Sequence, residues 1–354
     1  MTIRRAAILV FVLIVGGVAE AAPPDYPAVS PLPPLDLPRD HGAHPEFRTE
    51  WWYLTGWLSG PDTPAMGFQV TFFRSRPALD QANPSAFAAR QIVMAHSALS
   101  DPRTGRLIHD QRVARAGFGR TRLGESGVDL ALDDWQWTAA EGGFVIHVPA
   151  SGFTLDLRAA ETQAPLSEGP GAVSSKGGGA ASRYYSLPHL AITAKLDRAG
   201  HTEQLTGEGW FDHEWSSTLL PDGAVGWDWT ALDLTDGGAL MAFRVRDAAG
   251  LALWSGGTWR GADGTVAYLQ EGAVRVTPRR FWRSAVSGAN YPVASDVTVV
   301  IDGKERVFSL HPLMDDQELD SRLAGGPIYW EGAVSCEQGR GYLELTGYDK
   351  AFPQ

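Results

Sequence analysis

The run Asp212-His213-Glu214-Trp215 sets an imidazole between two carboxyls and beside an indole. An imidazole beside carboxyls can move protons, and an adjoining indole can face a developing cation. The run follows a stretch holding Gly207, Gly209 and Trp210 that reads as a strand. On an extended backbone alternate side chains share a face, so His213 and Trp215 point one way and Asp212 and Glu214 the other. The structural alternative is that the two carboxyls cap or salt-bridge at a junction while Trp215 packs. Glu50 precedes Trp51 and Trp52 at the start of an aromatic strand, where an ion pair with Arg48 or Arg74 is the plainer role. His96 sits inside the apolar segment 92–99, where a core histidine is the commoner outcome. His213, Asp212, Glu214, Glu50 and His96 are thus the candidate acid–base groups, and proton chemistry among them calls for no cofactor.

Other chemistries find less support. His41-x-x-His44, His96 and the 212–214 run offer donors, yet no spacing reproduces a zinc signature, so no metal is expected. The chain holds no Gly-x-Ser-x-Gly elbow, which leaves a secreted serine hydrolase as the weakest alternative. A formal charge of −11 argues against nucleic acid or anionic lipid as partner, since both attract a basic face. The 13 tryptophans either fill cores or wall an apolar cavity. Trp51, Trp52, Trp57, Trp215 and Trp227 are the expected lining for a hydrophobic small molecule, a lipid or isoprenoid.

The elements that must carry these residues read as strands. Residues 51–58 are aromatic and β-prone, and Gly60-Pro61-Asp62 turns the chain. Met66, Phe68, Val70 and Phe72 then alternate with polar residues, the period of a strand with one buried face. Further strands are expected over 92–99, 128–132, 135–138, 144–148 and 153–158, with short helices considered at 84–90 and 315–323. Many short strands between Gly and Pro turns point to a barrel or sandwich. Residues 161–182 are Gly-rich and polar and are expected to form a flexible loop or lid. An internal echo relates Trp51-x-Tyr53 to Trp227-x-Trp229 at an offset of 176 residues, and Met66-x-Phe68-x-Val70 to Met241-x-Phe243-x-Val245 at 175. Leu205-Thr206-Gly207 similarly matches Leu345-Thr346-Gly347. These echoes predict two successive barrels, 39–220 and 221–354.

Several motifs in order resemble the carotenoid 1,2-hydratase/AttH-type lipocalin-like family. They are Leu37-Pro38-Arg39-Asp40-His41-Gly42-Ala43-His44 running into Glu50-Trp51-Trp52-Tyr53, Ala95-His96-Ser97-Ala98-Leu99, and Tyr184-Tyr185-Ser186-x-Pro188. Phe211-Asp212-His213-Glu214-Trp215 and Gly341-Tyr342-x-Glu344-Leu345-Thr346-Gly347-Tyr348 complete the set. The resemblance implies an all-β chain of two lipocalin/calycin-like antiparallel barrels and an apolar ligand. In some members it implies addition of water to an isoprenoid double bond. In the hydratase a His-x-Trp pair matches His213 and Trp215, and an essential Asp stands two residues after a Tyr on a following strand. The matching stretch here, 240–244, has no carboxylate, so Asp212, Glu214 or Asp228 would have to substitute. A carrier of a hydrophobic molecule is therefore the first expectation, and a cofactor-free hydratase-type lyase the alternative.

The N-terminus reads as an export signal. Arg4 and Arg5 precede an uncharged apolar run over 6–18, too short to span a bilayer as a helix, and Ala19-Glu20-Ala21 presents small residues for cleavage. Residues 1–21 are expected to be removed and 22–38 to form a Pro-rich leader, giving a periplasmic or secreted protein without a membrane span. Its partners would be the ligand and, at the membrane, export or transport machinery. Cys336 is the only cysteine, so no disulfide is expected to support the fold. N-terminal sequencing of the exported protein should begin at Ala22; retention of Arg4 and Arg5 would rule out cleavage.

Overall fold

The computed structural model describes residues 25–79 and 83–352; the segment 1–21, expected to be an export signal, lies outside the described residues. Among the described residues the regular structure is β-strand with three short 3-10 turns. No helix among them is long and apolar enough to cross a membrane. The helix considered at 84–90 is absent, and 315–323 holds strand Glu318–Asp320 and the start of a 3-10 turn, Arg322–Ala324. Segments this short do not recover the cost of helix nucleation without an apolar face to bury.

Two antiparallel sheets follow one another along the chain. In the first, strand Thr49–Gly60 lies between its hairpin partner Thr63–Ser75 and the late strand His201–Thr218. In the second, Gly226–Leu234 lies between Ala239–Arg246 and Gly339–Leu345. The ends of the first sheet approach each other, where strand Ile108–Arg115 meets Asp129–Leu132 and Gly143–Ala150, closing a barrel. Trp52, Phe68, Phe72, Trp137 and Phe211 fill its interior. A second core, containing Leu232, Tyr291, Val297, Phe308 and Trp330, lies inside the other sheet.

A third core joins the two sheets. Tyr53, Trp57 and Trp210 of the first pack with Trp229, Phe243 and Tyr342 of the second. Two indoles bond across this seam: Trp57 Nε1 donates to the Gly341 carbonyl at 3.1 Å and Trp229 Nε1 to Tyr184 Oη at 3.0 Å.

The register confirms only part of the internal echo. Tyr53 and Trp229 both face the seam between the sheets, so the first-strand match keeps its face. The second match fails: Met66, Phe68 and Val70 face the first barrel's interior, while Met241, Phe243 and Val245 face the seam. The third fails as well, because Thr206 and Gly207 pair with the end of strand Thr49–Gly60, at Ser59 and Leu58, whereas Leu345 pairs with Asp228 near the start of Gly226–Leu234. A shift of one residue reverses the face of every side chain, so short apolar patterns repeat without marking equivalent positions.

The Gly-rich segment 161–182 is not a loop throughout. Leu166–Ser167 and Val173–Gly177 pair with strand Ala180–Arg198. Its glycines serve close approach: Gly169 has φ +116°, and a Cβ there would lie 2.1 Å from the Val173 carbonyl oxygen. Gly207 and Gly341 act similarly within the sheets, since a Cβ at either would lie 1.8 Å from a neighbouring strand's carbonyl oxygen. Gly207→Ala and Gly341→Ala should each cost about 3 kcal/mol in urea unfolding. Gly105→Ala, with φ +66° and open space around it, should cost about 1 kcal/mol. Equal losses at all three would contradict this packing.

Candidate functional site

Strands Thr49–Gly60 and His201–Thr218 stand between two cores, and the period-two alternation divides the candidate residues between them. Glu50, Trp52, His213 and Trp215 face the first barrel's interior; Trp51, Tyr53, Trp57, Asp212 and Glu214 face the seam.

The interior group is a closed network. Glu50 is buried and accepts from Arg74 Nε at 2.9 Å, His213 Nε2 at 3.0 Å and His44 Nδ1 at 2.8 Å. It also accepts the His44 backbone N–H. Burial alone would raise the Glu50 carboxyl, but His213, His44 and Arg74 hold it well below the usual carboxylate range. Trp52 stacks on His213 at 4.7 Å and Trp215 on His44 at 3.8 Å, fixing both rings. Burial lowers the His213 pKa. In its neutral form His213 donates from Nε2 to Glu50 and accepts at Nδ1 from Tyr185 Oη at 3.2 Å. When charged it donates instead to the Asp40 carbonyl at 3.0 Å. The 3-10 turn Arg39–His41 lies over this group, and His41 Nδ1 meets Tyr185 Oη at 2.5 Å. The whole therefore reads as a clasp that pins residues 39–48 to the barrel.

His44, Glu50 and His213 could in principle hold a metal, since their ligand atoms lie within 4.8 Å of one another. The Arg74 guanidinium already occupies Glu50 and would repel a divalent cation beside it. The donor set thus suits hydrogen bonding better than metal binding.

The seam group has different chemistry. Ser186 Oγ lies 2.5 Å from Asp212 Oδ1 and 2.8 Å from Glu168 Oε1. A hydroxyl carries one proton, so both contacts are hydrogen bonds only when one carboxyl is protonated and donates to Ser186. Burial pushes Glu168 up to about 8, with the Asp212 charge adding to it, and pushes Asp212 up to about 7. Trp210 Nε1 donates to Asp212 Oδ1 at 2.8 Å, which favours the anion there. The proton thus rests on Glu168, and Glu168–Ser186–Asp212 forms a relay. Glu214 is already paired: Lys176 Nζ lies 2.9 Å away and Ser182 donates to it. Lys176 is itself buried, 4.0 Å from the centre of the Phe243 ring.

The remaining candidates separate from these. His96 lies on the seam face, bonded through Nδ1 to Tyr329 Oη at 2.9 Å, and burial lowers its pKa to about 3. Glu50, His213 and His96 do not converge. The five tryptophans do not line one pocket either. Trp52 and Trp215 are inside the first barrel, whereas Trp51, Trp57 and Trp227 belong to the seam. Two surface grooves, of about 560 and 600 Å³ around Leu234 and Thr235, share no residue with either cluster. Ser216 donates to the Ala181 carbonyl at 2.7 Å, so its hydroxyl is already committed.

A model of the AttH-like family matches residues 28–348. The chain belongs to that family. The crystal structure of a candidate AttH protein from Nitrosomonas europaea is similar at 44% identity, with a TM-score of 0.83, over 91% of this chain and 99% of that one. Kievitone hydratase from Nectria haematococca shares the fold at 15% identity and a TM-score of 0.66, over 93% of this chain and 99% of its own. CghA, solved alone and with Sch210972, does so at 12% and 0.52, over 93% and 98%. No curated protein matches the chain. These neighbours bear out the all-β, lipocalin-like barrel architecture.

Glu168 and Lys176 were not among the residues singled out from sequence, and Ser186 appeared only within the Tyr184-Tyr185-Ser186-x-Pro188 motif. The available signal was an acid and a base placed in a Gly/Ser tract with no other charge between them. The pairing that buries them belongs to strand Ala180–Arg198.

The two clusters predict opposite pH dependences. Glu168 and Asp212 titrate higher folded than unfolded, so their contribution is full below about pH 4 and lost as pH rises towards 8. Glu50 titrates lower folded, so its contribution is present above about pH 4 and lost on acidification. Glu168→Gln should flatten the neutral-pH fall in chemical-denaturation stability. Glu50→Gln should remove about 3–5 kcal/mol at pH 7 by stranding Arg74. A neutral-pH slope unchanged by Glu168→Gln would disprove the assignment.

Proposed function

We propose that the protein binds a hydrophobic, unsaturated small molecule between its two sheets and acts on it as a cofactor-free acid catalyst of the hydratase type. The carrying observation is the Glu168–Ser186–Asp212 relay, a carboxylic acid protonated near neutrality and enclosed with Tyr53, Tyr184, Trp210 and Trp229. Protonating an alkene carbon needs such an acid, and the resulting carbocation is stabilised by aromatic faces.

In the hydration direction, Glu168 gives its proton to one alkene carbon. The oxygen of a water molecule then bonds to the cationic carbon, and Asp212 takes the proton that water releases. Ser186 passes that proton back to Glu168, so the net change is addition of one water. The same steps in reverse remove water.

Membership of the AttH-like family and the shared fold of kievitone hydratase are consistent with this reading. Export to the periplasm or beyond is part of the proposal and is supported by the pattern of residues 1–21. A carrier that leaves its ligand unchanged is the second reading. It is favoured by strand Ala239–Arg246, whose Leu240 and Ala242 pack in the second core where the hydratase pattern calls for an acid.

Native mass spectrometry of protein purified from its host should detect a bound apolar molecule. Incubation should change that molecule's mass by one water, and kcat should fall above about pH 8 as Glu168 ionises. Glu168→Gln should reduce turnover about 10²–10⁴-fold. A bound molecule of constant mass would retire the enzyme in favour of the carrier.

A further inference from the structure

Five residues form one row across the seam face of the first sheet. Ser186, Asp212, Tyr53, Thr71 and His96 are register partners on consecutive strands. Neighbouring strands lie about 4.8 Å apart, so the row runs about 10 Å from Asp212 to Thr71 and about 14 Å to His96. At the Asp212 end lies the acid relay. The other end has no comparable pairing.

Tyr53 Oη, Thr71 Oγ1, His96 Nε2 and both amide atoms of Gln69 are buried without a hydrogen-bond partner, as is Glu331 Oε1 from the second sheet. The residues are between 1% and 6% exposed. Glu331 lies within hydrogen-bonding reach of Tyr53, Gln69 and Tyr329, though none of these contacts has ordinary bond geometry, so the polar ends converge on one another. Buried polar atoms are nearly always paired, so Thr71 Oγ1 and His96 Nε2 without a partner, beside Tyr53, Gln69 and Glu331 that have only one another in poor geometry, mark a place where polar atoms of something else belong. Tyr329 holds the His96 ring in place from Nδ1, leaving Nε2 directed away from that bond.

The chemistry of the group selects its ligand. Gln69 offers a donor and an acceptor, Tyr53 and Thr71 offer hydroxyls, and neutral His96 offers a ring nitrogen. Burial raises Glu331 to about 7 and Glu344 well above the usual carboxylate range, so the group carries little fixed charge to attract an ionic ligand. We infer that Gln69, Thr71, His96, Tyr53 and Glu331 form a head-group subsite that receives the hydroxyl-bearing end of an elongated apolar molecule. The atom to be protonated then lies about 10–14 Å away along the same row. This inference rests on reading the Glu168–Asp212 end as the reactive one, and it makes the substrate an amphiphile rather than a pure hydrocarbon.

Two probes with the same carbon skeleton test it: farnesol, which carries a terminal hydroxyl, and β-farnesene, which does not. Tryptophan-fluorescence titration of the full chain should give at least about tenfold tighter binding of farnesol. Thr71→Val and Gln69→Leu should bring the two affinities to within about twofold, chiefly by weakening farnesol. Removing an orphan should also raise the Tm of the ligand-free protein by about 2–4 °C. Equal affinity for the two probes, including no detectable binding of either, overturns the subsite. So does a lowered Tm in both variants, which would mean that ordered water satisfies these groups. The outcomes separate from those of the catalytic proposal. A farnesol preference that persists while no bound molecule gains or loses water leaves the subsite and removes the catalyst. Water addition without a head-group preference does the reverse.

Discussion

Strands Thr49–Gly60 and His201–Thr218 are buried on both faces, one against the first barrel's core and one against the second sheet. Over Glu50–Thr55 and Trp210–Ser216 the polar side chains are therefore taken out of water, whichever way they point. A desolvated carboxyl has two stable states: an anion with enough donors, or a neutral acid. Glu50 takes the first course with Arg74, His44 and His213 around it. Glu168 takes the second, and Asp212 shares its proton through Ser186. The contrast between clasp and relay follows from the number of cationic or N–H donors on each side of one pair of strands.

This division also explains why the two clusters have different uses. The clasp is close to saturated: rings are stacked, the carboxylate is fully bonded, and the 3-10 turn Arg39–His41 is fastened over it, with Arg74 Nη2 left unpaired. Saturation gives rigidity, and a rigid barrel holds one wall of the seam in place. The seam remains partly unsatisfied, with a proton held near its own pKa at one end of a row and unpaired polar atoms at the other. Polar groups of that kind reduce stability and are retained where a ligand completes them.

Much of the architecture was legible along the chain. Alternation in 66–72 and the turn at 60–62 defined the first hairpin, and the strands expected over 92–99 and 153–158 appear as Ile92–Ser100 and Phe153–Ala160. Alternation in 212–215 also separated Asp212 and Glu214 from His213 and Trp215, as the register shows. Two readings went astray for one reason. The Met-x-Phe-x-Val echo and the five-tryptophan pocket were both read without knowing which face each residue takes, and only the strand register decides that.

What the sequence determined alone is what depends on neighbouring residues: strand periodicity, turn chemistry and which side chains of a strand share a face. The carboxyl that carries the relay's proton escaped it. Glu168 lies 44 residues from Asp212, in a Gly-rich tract that reads as loop until strand Ala180–Arg198 pairs with it. Whether an acid is ionised or protonated depends on the donors and solvent around it, and those come from distant segments. The tertiary structure alone brought Glu168, Ser186 and Asp212 together, and it alone aligned Gln69, Thr71 and His96 with them.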